Sequence, residues 1–182
     1  MLEEWLKVAD VNGYVKPTIY QGQYNLLCRG LERNILPLLR KHGIAFSAFS
    51  PLAGGFMTGK LTFAAKSPDS LKGTRFETAS DNPMGKAFRH WYDKDSMHAA
   101  MRDLSLACEQ AGVLPTSAAL RWLAFHSKLG DGDEIVFGAT QTEQIEAIVE
   151  AISTGPLPSS LADRIEGLWE CCREDGMAIV EY

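Results

Sequence analysis

The chain has 182 residues, 46% of them hydrophobic, with a net charge of −5 and a pI near 5.4. That length and apolar content suit one packed domain rather than a disordered chain. The acidic balance argues against a nucleic-acid partner, whose phosphates demand a basic surface, and no run approaches the roughly 20 apolar residues needed to cross a bilayer.

Leu2, Trp5, Leu6 and Ala9 recur at helical spacing, which predicts an amphipathic helix over residues 2–11 ended by Asn12-Gly13. Its acidic start is unlike a secretory signal, so a cytoplasmic location is expected. Residues 15–20 read as a short strand, with Pro17 near its start and Gln21 at its end. Leu31 to Lys41 predicts a second helix with Leu31, Ile35, Leu38 and Leu39 on one face, closed by His42-Gly43. Residues 44–49 then form an apolar strand that empties into Ser50-Pro51-Leu52-Ala53-Gly54-Gly55-Phe56-Met57-Thr58-Gly59-Lys60.

Residues 61–95 are irregular, rich in Ser, Gly, Asp, Asn and Pro, with scattered Lys66, Lys72, Arg75 and Lys86. A loop of that length is usually functional or disordered. Helical spacing returns from Met97 to Ala111 and from Thr116 to Ser127, followed by a strand over 134–138 and a helix over 141–152. A last helix begins at Ser160, with Leu161, Ile165, Leu168, Trp169 and Cys172 inward. Strands alternating with helices imply a parallel α/β sheet. Three strands cannot close a barrel, and an eight-stranded one needs about 250 residues, so the chain is expected to be part of something larger.

Two strand ends carry the chemistry. At the first, Gly54, Gly55 and Gly59 let backbone amides approach an anion, and Lys60 adds a charge. An ordinary turn with a solvated lysine fits the same residues, and neither Rossmann nor Walker spacing is present. At the second, Gly138-Ala139-Thr140 leads into Gln141-Thr142-Glu143-Gln144, where Thr140-x-x-Glu143 reads as a capping box. A helix start attracts phosphate, although a plain capped helix is the competing reading. Two such turns at successive strand ends favour a nucleotide cofactor across the sheet. Gln21 is placed to reach the same cleft, Phe49 to stack on a planar ring or to sit in the core, and Arg75 to pair a second phosphate or face solvent. Phe88-Arg89-His90-Trp91-Tyr92 reads as a substrate lid or a hydrophobic anchor.

His42, His98 and His126 lack carboxylate or cysteine partners in register and are given no catalytic role. No Ser-His-Asp, Cys-His or paired-carboxylate site emerges. Cys28, Cys108, Cys171 and Cys172 show no zinc spacing and are expected to be reduced thiols, with no metal bound.

Tyr20-Gln21-Gly22-Gln23-Tyr24-Asn25, Leu36-Pro37-Leu38, the Phe49–Gly55 run with Thr58-Gly59-Lys60, Gly73-Thr74-Arg75-Phe76, Leu120-Arg121-Trp122 and Gly138-Ala139-Thr140 with Glu143-Gln144 closely resemble the aldo-keto reductases, nearest the aflatoxin-aldehyde reductase group. The resemblance implies the C-terminal half of a (β/α)8 barrel, a single partial domain over 1–182 aligned with strands six to eight, with 61–95 as cofactor and substrate loop. It implies NADPH extended across the C-terminal face without a Rossmann fold. By position Gln21 matches the residue holding the nicotinamide carboxamide and Phe49 the aromatic stacked on the ring. Ser50, Pro51, Leu52, Gly54, Gly55, Gly59 and Lys60 match the loop over the pyrophosphate. Arg75, Gly138, Ala139, Thr140 and Gln144 match the 2′-phosphate and adenosine end, and Phe88 and Trp91 fall where relatives place substrate contacts.

Ile148 stands where the family usually has Asn for adenine. The family's catalytic Asp, Tyr, Lys and His, and its carboxamide-binding Ser-Asn pair, match positions before Met1, so no catalytic residue is expected within this chain. The parent reaction is hydride transfer from NADPH to a small-molecule carbonyl, with a tyrosine as proton donor. Two readings therefore stand: a truncated NADPH-dependent carbonyl reductase, inactive alone, or a non-catalytic half-barrel that binds nucleotide weakly or pairs with another chain. Open strand edges would favour self-association. Neither a nucleic-acid nor a membrane partner is expected.

Overall fold

Three short apolar runs, each bounded by turn residues, build the sheet: β1 (Ile19–Gln23), β2 (Ala45–Phe49) and β3 (Glu134–Val136). They pair in that order and all in parallel, with Gln21 beside Ser47 and Ser47 beside Glu134. The computed structural model describes residues 1–64, 71–77 and 83–180. Helices α1 (Leu2–Asn12), α2 (Leu31–His42), α3 (Pro83–Tyr92), α4 (Asp95–Ala111), α5 (Pro115–Phe125), α6 (Thr142–Ser153), α7 (Ser159–Glu166) and α8 (Leu168–Ala178) complete the described elements, with a 3-10 segment at Ala53–Thr58.

The two faces of the sheet differ. Tyr20 stacks on Phe46 at 6.1 Å, and a Cβ at Gly22 would strike Leu31 and Phe46, so this face packs on α2. On the other face Ile19 is 55% and Val136 38% exposed, and Gln21 and Glu134 are exposed between them. Parallel sheets normally bury both faces; here the second face is open at Ile19, Gln21, Glu134 and Val136 and covered at Gln23. This is the α/β architecture of a partial barrel.

One main core runs from Leu39 and Phe46 through Phe56, Met57, Met97, Met101 and Trp122 to Ile165. A smaller cluster of Leu120, Ile148 and Ala151 lies beneath α6, and Leu52 packs against both. Ile148 is therefore a core residue. On α5, Arg121 donates from Nε to the Gly155 carbonyl (2.7 Å) and from Nη2 to that of Pro156 (2.6 Å), fixing the turn between α6 and α7. Trp122 donates to Glu166 at 2.7 Å, and Arg29 bonds Glu32 and Glu166 while lying 4.9 Å over the Trp122 ring. Cys28, Cys108 and Cys172 are buried and Cys171 is exposed, all free. Burial pushes the Cys172 thiol up to about 12.

Several expectations need correction. β1 begins four residues later than expected, because its ladder to β2 starts only at the Thr18 carbonyl, which accepts from the Ala45 amide at 2.9 Å; Gln21 sits in mid-strand and Gln23 ends it. Within the expected loop 61–95, residues 83–92 form α3, since Phe88 and Tyr92 at i, i+4 give it a buried face. Lys66 lies outside the described residues. The last helix is broken at Gly167 into α7 and α8. Trp5 is exposed, so the buried stripe of α1 narrows to Leu6 and Ala9. No helix among the described residues is long and apolar enough to cross a membrane.

Asp133 closes the N-terminal end of the sheet. Its side chain, 1% exposed, accepts from Arg40 Nη1 at 2.9 Å, from the Phe46 amide at 2.8 Å and from the Gly130 amide at 2.8 Å. Burial alone would raise its pKa, but the Arg40 guanidinium and the two amides outweigh that and hold it below the usual carboxylate range. A carboxylate depressed in the folded state adds stability above its unfolded pKa and loses it as pH falls through the folded value. Asp133→Asn is expected to cost about 2 kcal/mol at neutral pH. The variant should also lose less stability than wild type as the solution is acidified, and urea unfolding across pH reads both effects. Equal stability at neutral pH would contradict this role.

Candidate functional site

The segment after β2 is a succession of left-handed residues. Ser50 has φ +56° and Ala53 +53°, followed by Gly54 at +65°, Gly55 at +99° and Gly59 at +76°. Left-handed Ser and Ala are strained, of order 1–3 kcal/mol each, and persist only where surroundings force them. Such successions can turn backbone N–H groups toward an anion, and here the Ala53, Gly55, Met57 and Gly59 amides already bond the Ser50, Leu52, Leu52 and Phe56 carbonyls. At Gly55 nothing lies within 4 Å of where a Cβ would sit, so that side is open to an approaching group. Thr58 donates to the Gly55 carbonyl at 2.8 Å and accepts from the Lys60 amide at 3.3 Å, and the Lys60 side chain is exposed.

What forces the turn is a buried polar bracket. Asn25 Nδ2 donates to the Ser50 carbonyl and to the Tyr92 hydroxyl, both at 3.0 Å, and Gln23 Nε2 donates to the same hydroxyl at 2.7 Å. The Asn25 Oδ1 accepts from the Leu27 amide. Tyr92 is fully buried, and desolvation holds its phenol well above the ordinary range, so it stays neutral. Beneath the loop a Cβ at Gly54 would overlap the Phe88 ring, which is 3% exposed and stacked on Tyr92. Exposed Arg75 lies 5.1 Å over that same ring. Gly54, Phe88 and Arg75 thus form one stack, which brings the 71–77 segment to the loop.

Parallel pairing puts the ends of β2 and β3 at one edge of the sheet, with Phe49 and Val136 in register. Phe49 is half-buried, Pro51 buried and Leu52 half-buried, while Gln21 is exposed on the open face beside Ser47. After β3, Gly138 and Thr140 are exposed and Ala139 half-buried. The expected capping box does not form. The α6 cap position is Gln141, with no side-chain cap bond, and Gln144 accepts from the Thr140 amide at 3.1 Å. Trp91 is half-buried, edge-on to Phe88 at 5.3 Å. A separate cleft of about 680 Å³ lies between α2 and α8, lined by Arg33, Arg40, Lys128, Trp169 and Arg173 among others. None of the residues expected to hold a cofactor lines it.

The sequence reading left three contributors without a role. Asn25 and Gln23 lie within the quoted Tyr20–Asn25 motif but their partners are 25 and 69 residues away. Tyr92 was visible only as one aromatic of a cluster. His98 is a correction: its Nε2 meets Asp93 Oδ1 at 2.9 Å and its Nδ1 meets Thr62 Oγ1 at 2.9 Å, so it does have a carboxylate partner. That carboxylate sits across the junction of two helices, where helical register gives no signal. His126 accepts from the Leu157 amide at 2.9 Å, a structural bond.

Gly54→Ala is expected to lower unfolding free energy by roughly 2–3 kcal/mol, from left-handed strain plus overlap with Phe88. Gly55→Ala, which meets open space, should lose only about 1 kcal/mol from strain. Guanidinium unfolding of the two variants gives the comparison, and equal losses would show that Phe88 does not brace the turn.

The model of the aldo/keto reductase family matches residues 3–170. The chain is 40% identical over 172 residues to Oxidoreductase sirO of Leptosphaeria maculans, covering 93% of this chain and 50% of that protein. It is 34% identical over 164 residues to human Aflatoxin B1 aldehyde reductase member 2, covering 87% of this chain and 45% of that one. The human Aldo-keto reductase family 7 member A3 gives the same identity, with 48% of its length covered. The chain spans about half the length of the curated relatives it matches. It belongs to the aldo/keto reductase family.

Proposed function

We propose that this chain forms the cofactor-phosphate side of an NADPH-dependent reductase of aldehydes and ketones. The reading rests chiefly on the left-handed run from Ser50 to Gly59 at the C-terminal end of β2. A simple strand-to-helix turn does not require two strained non-glycine residues, whereas an anion cradle gives that strain a use. The relatives' names, an oxidoreductase and an aldehyde reductase, agree with it.

In this reading the Leu52–Lys60 backbone and the Lys60 ammonium hold the pyrophosphate. Arg75, braced over Phe88, meets the 2′-phosphate together with the Gly138–Gln144 turn. Gln21 and Phe49 orient the nicotinamide, and Phe88 and Trp91 border the substrate. Bound NADPH supplies the hydride for a small-molecule carbonyl. No residue of this chain is given the proton-donor role, so the chain alone is proposed to bind the dinucleotide weakly and not to turn over. Residues 1–182 act as one partial domain, with 61–95 as the cofactor and substrate loop, in a cytoplasmic protein without nucleic-acid or membrane partners.

The exposed Trp5, Val8 and Val11 of α1, with Ile19 and Val136 on the outer strands, favour a second reading in which the open edges pair with another chain.

Fluorescence titration with NADPH and NADH tests the cofactor reading. Lys60→Ala is expected to weaken both ligands by about tenfold or more, the loss of one charge-assisted bond. Arg75→Ala should weaken NADPH alone. Binding unaltered in both variants, or absent in the wild-type chain, would overturn it.

A further inference from the structure

Asp93 lies between α3 and α4, and its two carboxylate oxygens serve different partners. Oδ1 meets His98 Nε2 at 2.9 Å, and Oδ2 meets Arg89 Nη1 at 2.9 Å. Each partner then reaches a different loop. His98 Nδ1 meets Thr62 Oγ1 at 2.9 Å, two residues beyond Lys60, and its ring lies 5.5 Å from that of Phe56 inside the left-handed turn. Arg89 donates through Nη2 to the Phe76 carbonyl, the peptide next to Arg75. An ionised carboxylate can only accept, so His98 Nε2 carries a hydrogen and donates to it. With a neutral ring the Thr62 hydroxyl then donates to Nδ1, so every bond in the chain has a donor and an acceptor.

We infer that Asp93 is a positioning residue for the cofactor-phosphate site, holding the 59–64 segment through His98 and the 71–77 segment through Arg89. The inference rests on the cofactor reading above. His98 meets Asp93 at the helix junction and Thr62 and Phe56 from the loop side, and Arg89 on α3 pairs with the other oxygen of Asp93. Asp93 is 40% exposed, and ion pairs so exposed add little to global stability. Their effect falls on local opening, which governs how often a loop holds its binding geometry. The backbone bonds of both segments are short-range, such as Phe63 N–H to the Gly59 carbonyl and Thr74 N–H to that of Leu71, while Leu61 and Phe76 anchor them in the core and Arg75 lies over Phe88. To that apolar packing the Asp93 link adds a polar tie, shared by the two segments, to one helix junction.

The test compares Asp93→Ala, His98→Ala and Arg89→Ala in the 182-residue chain by amide hydrogen exchange without ligand, and by NADPH titration. Asp93→Ala should speed exchange several-fold in both segments, leave the sheet amides unchanged and weaken NADPH by about tenfold. His98→Ala should affect 59–64 alone, and Arg89→Ala 71–77 alone, a split that general destabilisation would not give. Exchange unaltered in either segment of Asp93→Ala overturns the inference, as does faster exchange with undiminished NADPH affinity. If the wild-type chain binds no NADPH while the split in exchange appears, the two-armed link stands and the cofactor reading is what fails.

Discussion

The side-chain amide of Asn25 carries the turn on which the site depends. Its nitrogen is shared between the Ser50 carbonyl and the Tyr92 hydroxyl, and its oxygen is occupied by the Leu27 amide. The Ser50 carbonyl also receives the Ala53 amide at 2.9 Å. With that carbonyl held from two sides, Ser50 stays left-handed, although right-handed or extended backbone would be less strained. Tyr92 needs a partner because it is fully buried, and Gln23 and Asn25 meet that need. The end of β1, the turn after β2 and the last residue of α3 therefore form one unit, and loosening any one of them loosens the cradle.

The two ends of the sheet divide the work. At the N-terminal end Asp133 joins α2 to the starts of β2 and β3 through Arg40 and the Phe46 amide, with its charge fully matched. Charges at the C-terminal end are left facing solvent: Lys60 and Arg75 are both exposed in an otherwise acidic chain. Arg75 lies over the Phe88 ring, and the C-terminal side of the strands is where α/β folds take ligands. Arg121 and Trp122, conspicuous in the sequence, instead spend their donors on neighbouring turns and helices.

Much of this was legible in the residues. Apolar spacing located α2, α4, α5, α6, β2 and β3, whereas β1 overlaps its expected range only at Ile19-Tyr20. The glycines of the loop after β2 pointed to positive φ, and Gly54, Gly55 and Gly59 adopt it. Helix α3 was hidden because only Phe88, Tyr92 and the small Gly85 face inward, amid polar and turn-forming neighbours. The cap of α6 falls at Gln141 without a capping box, and the Thr140 amide is met by the Gln144 side chain rather than by Glu143. Left-handed Ser50 and Ala53 could not be foreseen at all: their conformation comes from Asn25 and Phe88-backed packing far along the chain, not from their own preferences. The same holds for the Asp93–His98–Thr62 link, whose ends are 31 residues apart in number but meet through two helices and a loop.

The central claim is that one cradle, assembled at the C-terminal edge of the sheet, holds the dinucleotide's phosphates. Backbone amide shifts of the 182-residue chain during addition of NADPH test it most directly. The expected result is perturbation concentrated in Leu52–Lys60 and Gly138–Gln144. Perturbation confined to the basic cleft around Arg33 and Lys128, between α2 and α8, would contradict it.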